Sequence, residues 1–175
     1  MKRIAPLVLC LLIFAGPHQA YAKGWGFSAG VGVSQMRDRD PEGTFEGNDF
    51  GYLFNFEYRF TQHFALGVGG FNLGADTDIV NGEEILIDVH GSDFFVRGIA
   101  PISESVEIYG RIGGASYDVN NRSFLFADDA FEIGLGVDFI PGKSEHLAIR
   151  LEGLFFNGSS DESGGLATIG FSYRF

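Results

Sequence analysis

Residues 167–175 read Ala-Thr-Ile-Gly-Phe-Ser-Tyr-Arg-Phe, and this stretch decides the fold. Ala167, Ile169, Phe171, Tyr173 and Phe175 take every second position, with Thr168, Gly170, Ser172 and Arg174 between them. Side chains on a strand alternate faces with a period of two, so the segment carries one apolar stripe and one small or polar stripe. Chain ends in water are usually polar and frayed. An apolar terminal strand suits a closed sheet in lipid, where the last strand must pair with the first because no backbone group can be left unbonded.

Upstream, the same alternation recurs. Phe50, Tyr52, Phe54, Phe56, Tyr58 and Phe60 share one face of a segment whose other face is Gly51, Leu53, Asn55, Glu57 and Arg59. A helical stripe repeats every three or four residues, so strictly alternating aromatics exclude a helix. Similar segments run from Trp25 to Met36, Phe64 to Leu73, Ile85 to Ala100, Val106 to Tyr117, Phe131 to Phe139, and onward from Leu147. With the terminal stretch they make eight, an even number and the smallest usual in outer-membrane barrels. Gly69-Gly70 predicts a kink. In the fourth segment Ile85, Ile87 and Val89 share one parity, and Phe94, Val96, Gly98 and Ala100 the other, which predicts a bulge near Gly91.

Connections at 61–63, 103–105 and 141–145 are short, whereas 37–49, 74–84, 118–129 and 157–165 are long. Short periplasmic turns alternating with long external loops is the barrel rule, and it places both ends of the mature chain in the periplasm. Trp25, Phe27, Tyr58, Phe60, Phe64, Phe139, Tyr173 and Phe175 cluster at the periplasmic ends as an interfacial girdle. The sequence thus predicts an all-β fold, an eight-stranded antiparallel transmembrane barrel in up-and-down order.

The front of the chain points to the same membrane. Lys2 and Arg3 precede an apolar run from Ile4 to Gly16, and Ala20-Tyr21-Ala22 supplies a small-x-small cleavage pattern. The run is shorter than the roughly 20 residues of a spanning helix. Residues 1–22 are therefore expected to be a cleaved signal peptide, and 23–175 the barrel domain. The single cysteine, Cys10, lies in the part to be removed, so no disulfide framework is expected. Loss of Lys2 and Arg3, with no acid, moves the formal net charge from −11 to −13. Such a chain offers no basic footprint for nucleic acid. The 26 glycines and 19 phenylalanines suit strands that curve beside lipid better than a Leu- and Ile-rich soluble core.

At this point the chain resembles the small eight-stranded outer-membrane barrels of the OmpA transmembrane-domain and OmpX type. The resemblance rests on residues 167–175, on Pro101-Ile102-Ser103 through Tyr109-Gly110-Arg111-Ile112-Gly113, and on Ala148-Ile149-Arg150-Leu151-Glu152. It implies residence in the bacterial outer membrane among lipid and lipopolysaccharide. It makes Phe171, Tyr173 and Phe175 an assembly signal for the barrel-assembly machinery. It also implies a structural, envelope-integrity or narrow porin-like role. The sequence carries nothing after the barrel pattern to match the wall-binding domain of OmpA-type proteins, so wall tethering is not expected.

Alternation assigns an inward set: Glu57, Arg59, Arg97, Glu107, Arg111, Glu132, Asp138, Arg150, Glu152 and Arg174. An eight-stranded barrel is just wide enough for side chains, and buried charges must pair. These residues are expected to form either a polar plug or a narrow pore that opens by exchanging one arginine–carboxylate pair for another. Outside, the long connections hold 14 of the 23 acids and only three arginines, at 37, 39 and 122. Within them Asp38, Asp40, Glu42, Thr44 and Asp49 fall on calcium-loop spacing, with Gly43 at the turn position, although the usual final Glu and the flanking helices are missing. An adhesin or receptor acting through its external loops is a second reading, with the apolar stretch Ser123-Phe124-Leu125-Phe126 as the contact. A third is a lipid A-modifying enzyme. His90-Gly91-Ser92 places a base and a nucleophile two apart on one face and loosely resembles the His-x-Ser pair of barrel deacylases. The rest of that motif does not follow, so neither a catalytic residue nor a cofactor is expected.

Overall fold

The computed structural model describes residues 23–40, 43–80, 83–120, 130–142, 146–158 and 163–175. Eight strands make up nearly all of it: β1 (Gly24–Asp40), β2 (Gly43–Thr61), β3 (Phe64–Val80), β4 (Glu83–Ser103), β5 (Val106–Asn120), β6 (Ala130–Phe139), β7 (Leu147–Asn157) and β8 (Ser163–Arg174). Each pairs antiparallel with the next, and β8 returns to β1 from Gly26↔Arg174 to Arg37↔Ser163, closing the barrel. Closure leaves no open edge, which is what allows a sheet to lie in hydrocarbon.

The pleat sorts side chains as the alternation predicts. Phe54 is 51% exposed and Ile169 58%, both on the outer wall, while Arg97 and Arg111, pointing inward, are each 1% exposed. Trp25 stacks on Phe56 at 4.9 Å near the periplasmic rim. Inside, glycines make room for rings. A Cβ at Gly67 would strike the Phe95 ring, and one at Gly136 the Tyr109 ring.

Two details differ from the sequence reading. The connections expected at 37–49 and 74–84 are mostly strand: β1 runs on to Asp40 and β2 starts at Gly43, and β3 reaches Val80 with β4 starting at Glu83. Apolar alternation stops where lipid stops, but the backbone ladder does not, so a rule keyed to apolar stripes ends these strands too early. The bulge is not near Gly91, since β4 pairs with β5 in one register from Asp88↔Asn120 to Pro101↔Glu107. It lies on β3 between Asn72 and Ala75, where Gly74 adopts φ 88°. Val89, Asp93, Phe95 and Arg97 all point inward on a single parity. The apparent phase change arises because the lumen itself turns apolar there. Gly69 and Gly70 pair in register with both neighbouring strands.

Strand lengths are unequal. β1, β2, β3 and β4 have 17, 19, 17 and 21 residues, whereas β6, β7 and β8 have 10, 11 and 12. About 9–11 residues cross the hydrocarbon. The surplus stands on the external side, where β2–β3 pairing ends at Tyr52↔Asn72 and the β1–β2 and β3–β4 hairpins continue separately.

Candidate functional site in the barrel lumen

The periplasmic half of the lumen is filled by charge. Arg59 Nη1 donates to both oxygens of Glu107 at 3.1 Å, and Arg174 Nη2 reaches the same carboxylate at 2.5 Å. Arg150 grips Asp138 with two parallel bonds, Nε to Oδ1 at 2.7 Å and Nη2 to Oδ2 at 2.8 Å, and its Nη1 donates to Ser28 Oγ at 2.9 Å. Arg97 Nη1 lies 2.7 Å from Glu57 Oε2. Higher up, Arg111 meets three acids: Nε on Glu132, Nη2 on Asp93 at 2.5 Å, and Nη1 on Glu152 at 3.3 Å. Bidentate, charge-assisted bonds of this kind are the strong ones.

Aromatic faces complete the layer. The Arg97 guanidinium lies 4.3 Å from the Tyr109 ring centre, Arg111 lies 3.9 Å from Phe95, and Arg150 lies 5.0 Å from Tyr109. A desolvated cation on a ring gains up to about 2 kcal/mol. Among the described residues the external half of the lumen has no charge of this kind. Met36, Leu53, Phe71, Leu73, Val89, Ala115, Leu154, Phe156 and Leu166 form one buried cluster, with Phe71 stacked on Phe156 at 4.6 Å.

The ten inward residues chosen from the sequence all lie in the lumen, nine of them buried and Arg174 with a 15% exposed side chain. The sequence reading omitted Asp93, although it shares parity with Arg97. It also omitted Phe95 and Tyr109, the rings beneath the guanidiniums, and the whole apolar layer. Parity counted through Gly91 without a break would have found Asp93, Phe95 and Val89.

The calcium spacing falls on the β1–β2 hairpin rather than on a loop. Asp38 pairs with Phe45 and Asp40 with Gly43, whereas Asp49 sits opposite Ser34, several residues down the ladder. At about 3.3 Å per residue along a strand, Asp49 lies roughly 13 Å along the ladder from Asp38. Glu42 and the side chains of Asp38, Asp40 and Thr44 lie outside the described residues. Asp49 is engaged elsewhere, its carboxylate accepting from the backbone N–H groups of Phe50 and Ala75 at 2.6 Å each. Both bonds hold its carboxyl below the usual carboxylate range, Phe50 first and Ala75 second. Ser123 to Phe126, the apolar contact expected of an adhesin, also lies outside the described residues.

His90 and Ser92 lie on the outward parity of β4, with Ser92 exposed. Asp88, on the same face, is bonded to Asn72 Nδ2 at 2.9 Å. At the C-terminus Phe171 and Tyr173 face outward, Phe171 lies 6.2 Å from Phe27, and Phe175 N–H donates to the Trp25 carbonyl at 2.9 Å.

Residues 7–175 match the family model described as the outer membrane protein β-barrel domain. The chain belongs to this outer-membrane β-barrel family. Solved structures of similar shape include Ail, the attachment invasion locus protein of Yersinia pestis, in complex with the heparin analogue sucrose octasulfate. It is 18% identical with a TM-score of 0.59, covering 88% of this chain and 100% of that one. OprG of Pseudomonas aeruginosa matches with 15% identity and a TM-score of 0.55, over 87% of this chain and 97% of that one. The N-terminal barrel domain of OprF from the same organism matches with 14% identity and a TM-score of 0.54, over 87% and 98%. Comparison with curated protein sequences finds no match. At these identities the likeness is one of fold. Family membership makes this barrel an integral protein of the bacterial outer membrane.

Proposed function

We propose that this outer-membrane barrel is a sealed structural element of the envelope, one that anchors tall external hairpins and does not conduct. The observation that carries this reading is the double closure of the lumen, by an arginine–carboxylate layer below and an apolar layer above. A narrow pore opened by exchanging salt-bridge partners would pass ions through the lower layer alone. It would still meet Phe71, Leu154 and Phe156, which offer an ion nothing to replace its water. Residues 1–22 serve as the export signal, and the outward Phe171, Tyr173 and Phe175 offer the assembly machinery its recognition strand. Lipid and lipopolysaccharide are the surroundings, and no catalytic step or cofactor enters this reading. Planar-bilayer recording of the refolded protein tests it. The expected trace is that of bare lipid, and reproducible stepwise openings would overturn the proposal.

A second reading, surface adhesin or receptor, is favoured by the β1–β2 and β3–β4 hairpins, which outreach β6–β8. The external connections carry 14 acids against three arginines, so a cationic partner fits them better than the sulfated sugar that Ail holds. Binding of cells or serum proteins, compared before and after deletion of residues 123–126 and of the hairpin tips, separates the two readings.

A further inference from the structure

The lumen charges do not balance from layer to layer. In the periplasmic half Arg59, Arg97, Arg150 and Arg174 face Glu57, Glu107 and Asp138, leaving one positive charge in excess. Above them Arg111 alone faces Asp93, Glu132 and Glu152, leaving two negative charges in excess. Arg97 does little to relieve this, since its Nη2 is 4.0 Å from Glu152 and its Nη1 is committed to Glu57. Each of the three acids also keeps one buried oxygen without a hydrogen bond: Asp93 Oδ1, Glu132 Oε2 and Glu152 Oε2.

Among the described residues no other element supplies the missing positive charge. β1 contributes Ser28 and Ser34, β2 contributes Asn55 and Glu57, β3 contributes Phe71 and glycines, β5 adds Tyr109, and β8 adds Thr168. Asn55 Oδ1 is itself an acceptor for Arg111 at 3.3 Å. The apolar layer closes the cluster from above. An uncompensated charge buried in this way neutralises itself rather than stay ionised, and neighbouring carboxylates cannot all remain charged. Among the described residues no three acid, His or Cys side chains are grouped so as to hold a metal ion. That leaves a proton.

We propose that Asp93, Glu132 and Glu152, gathered on Arg111, form a buried proton-binding site that holds one proton at neutral pH. Among the described residues six lumen carboxylates, five guanidiniums and one proton sum to zero, so a single proton neutralises that set. The proton converts one orphan oxygen into a donor to a neighbouring carboxylate, and it belongs to the cluster rather than to one residue. Alkaline release restores two surplus negative charges around one guanidinium and sets the acids to repel one another. This inference stands apart from the sealed-barrel reading, since the proton site exists whether or not the lumen conducts.

Infrared spectroscopy of the protein refolded in lipid vesicles tests it, because the C=O stretch of a neutral carboxyl is separate from that of a carboxylate. At neutral pH the wild type should show one neutral-carboxyl band, which disappears at alkaline pH. Asp93→Asn, Glu132→Gln and Glu152→Gln each remove the surplus charge without changing side-chain shape, so each should abolish the band. Asp49→Asn, at an acid outside the lumen, should leave it intact. A wild type without the band at neutral pH overturns the proposal, as does a band that survives the three lumen substitutions or is lost with Asp49→Asn. The wild-type pH series decides by itself should a lumen variant fail to insert.

Discussion

The two halves of the lumen close the same barrel by opposite chemistry. The external half is held by contact among Met36, Phe71, Leu73, Leu154, Phe156 and Leu166, which is non-directional and fails gradually. The periplasmic half is held by bonds with fixed partners on different strands: β2 to β5 through Arg59–Glu107, β4 to β2 through Arg97–Glu57, β7 to β6 through Arg150–Asp138, and β8 to β5 through Arg174–Glu107. Buried ion pairs are often no more stabilising than apolar residues of similar size. What they add here is register. A one-residue slip of any strand would turn its inward residues toward lipid, at about 2–4 kcal/mol for each arginine at mid-membrane. The apolar layer tolerates such an error far better, because Leu and Phe are as welcome outside as inside.

The contrast is sharpest at Arg111, where the largest loss is expected. Arg111→Met keeps the bulk of the side chain but leaves Asp93, Glu132 and Glu152 buried without their cation. The cost is about 3–5 kcal/mol, the usual result of breaking a buried pair from one side. Urea titration of the refolded barrel in micelles measures it, and a midpoint within error of wild type would refute the role given to the network. Phe156→Ala, in the apolar layer, is expected to cost about 3 kcal/mol through lost burial and the cavity beside Phe71. In conductance, by contrast, neither variant should differ from wild type, since Arg111→Met leaves the apolar layer closed. Phe156→Ala leaves the charged layer as a complete seal, so its bilayer trace should match wild type, and channels appear only when both layers are breached in one molecule.

How far the sequence reveals this barrel follows from what alternation can encode. Phe50 to Phe60 and Ala167 to Phe175 give away the strands because one wall faces lipid and must be apolar at every second position. The same rule identifies the charged lumen, since Glu57, Arg59, Arg111 and Arg150 each lie between outward apolar residues. It fails in the external half of the lumen. There both walls of β4 carry apolar residues, so Val89 reads as outward and Asp93, four residues on, is lost from the inward set. It fails again above the membrane, where Arg37–Asp40 and Ala75–Val80 remain strand through backbone pairing. Which arginine meets which acid depends on shear between strands, and no local pattern records shear.

A smaller effect separates ring packing from ion pairing within the charged half. Gly136 leaves space for the Tyr109 ring, which in turn lies beside Arg97 and Arg150. Gly136→Val should force the ring aside and cost about 1–3 kcal/mol as overpacking. The same change at Gly153, where an added Cβ meets nothing within 4 Å, should be nearly silent in the same urea titration. Equal losses at the two glycines would mean that the ring layer contributes nothing specific.

The smallest expected effect lies outside the lumen, at the joint between the two tall hairpins. Asp49 of β2 accepts from its neighbour Phe50 and, across the gap, from Ala75 of β3, just past the bulge at Gly74. The Ser34 hydroxyl sits at the same joint, within reach of the Asp49 carbonyl at 3.1 Å and of the Leu73 carbonyl, with one proton to donate between them. The two N–H bonds favour the ionised carboxylate, so its folded pKa lies below the unfolded value. A group lowered in this way contributes its stability above the ordinary carboxylate range and loses it as pH falls through the lowered value. Because Asp49 is only half-buried and lies at the external joint, the contribution is local, and global unfolding should hardly register it. Amide NMR is the appropriate measurement. Acidification should move the Phe50 and Ala75 amide resonances together, at a midpoint below that of a free aspartate. Asp49→Asn should remove that transition, because an amide has one carbonyl oxygen to offer and nothing to titrate. If the two amides titrate apart, or only at the ordinary aspartate midpoint, the carboxylate does not clasp the hairpins, and their separation above Tyr52 and Asn72 is complete.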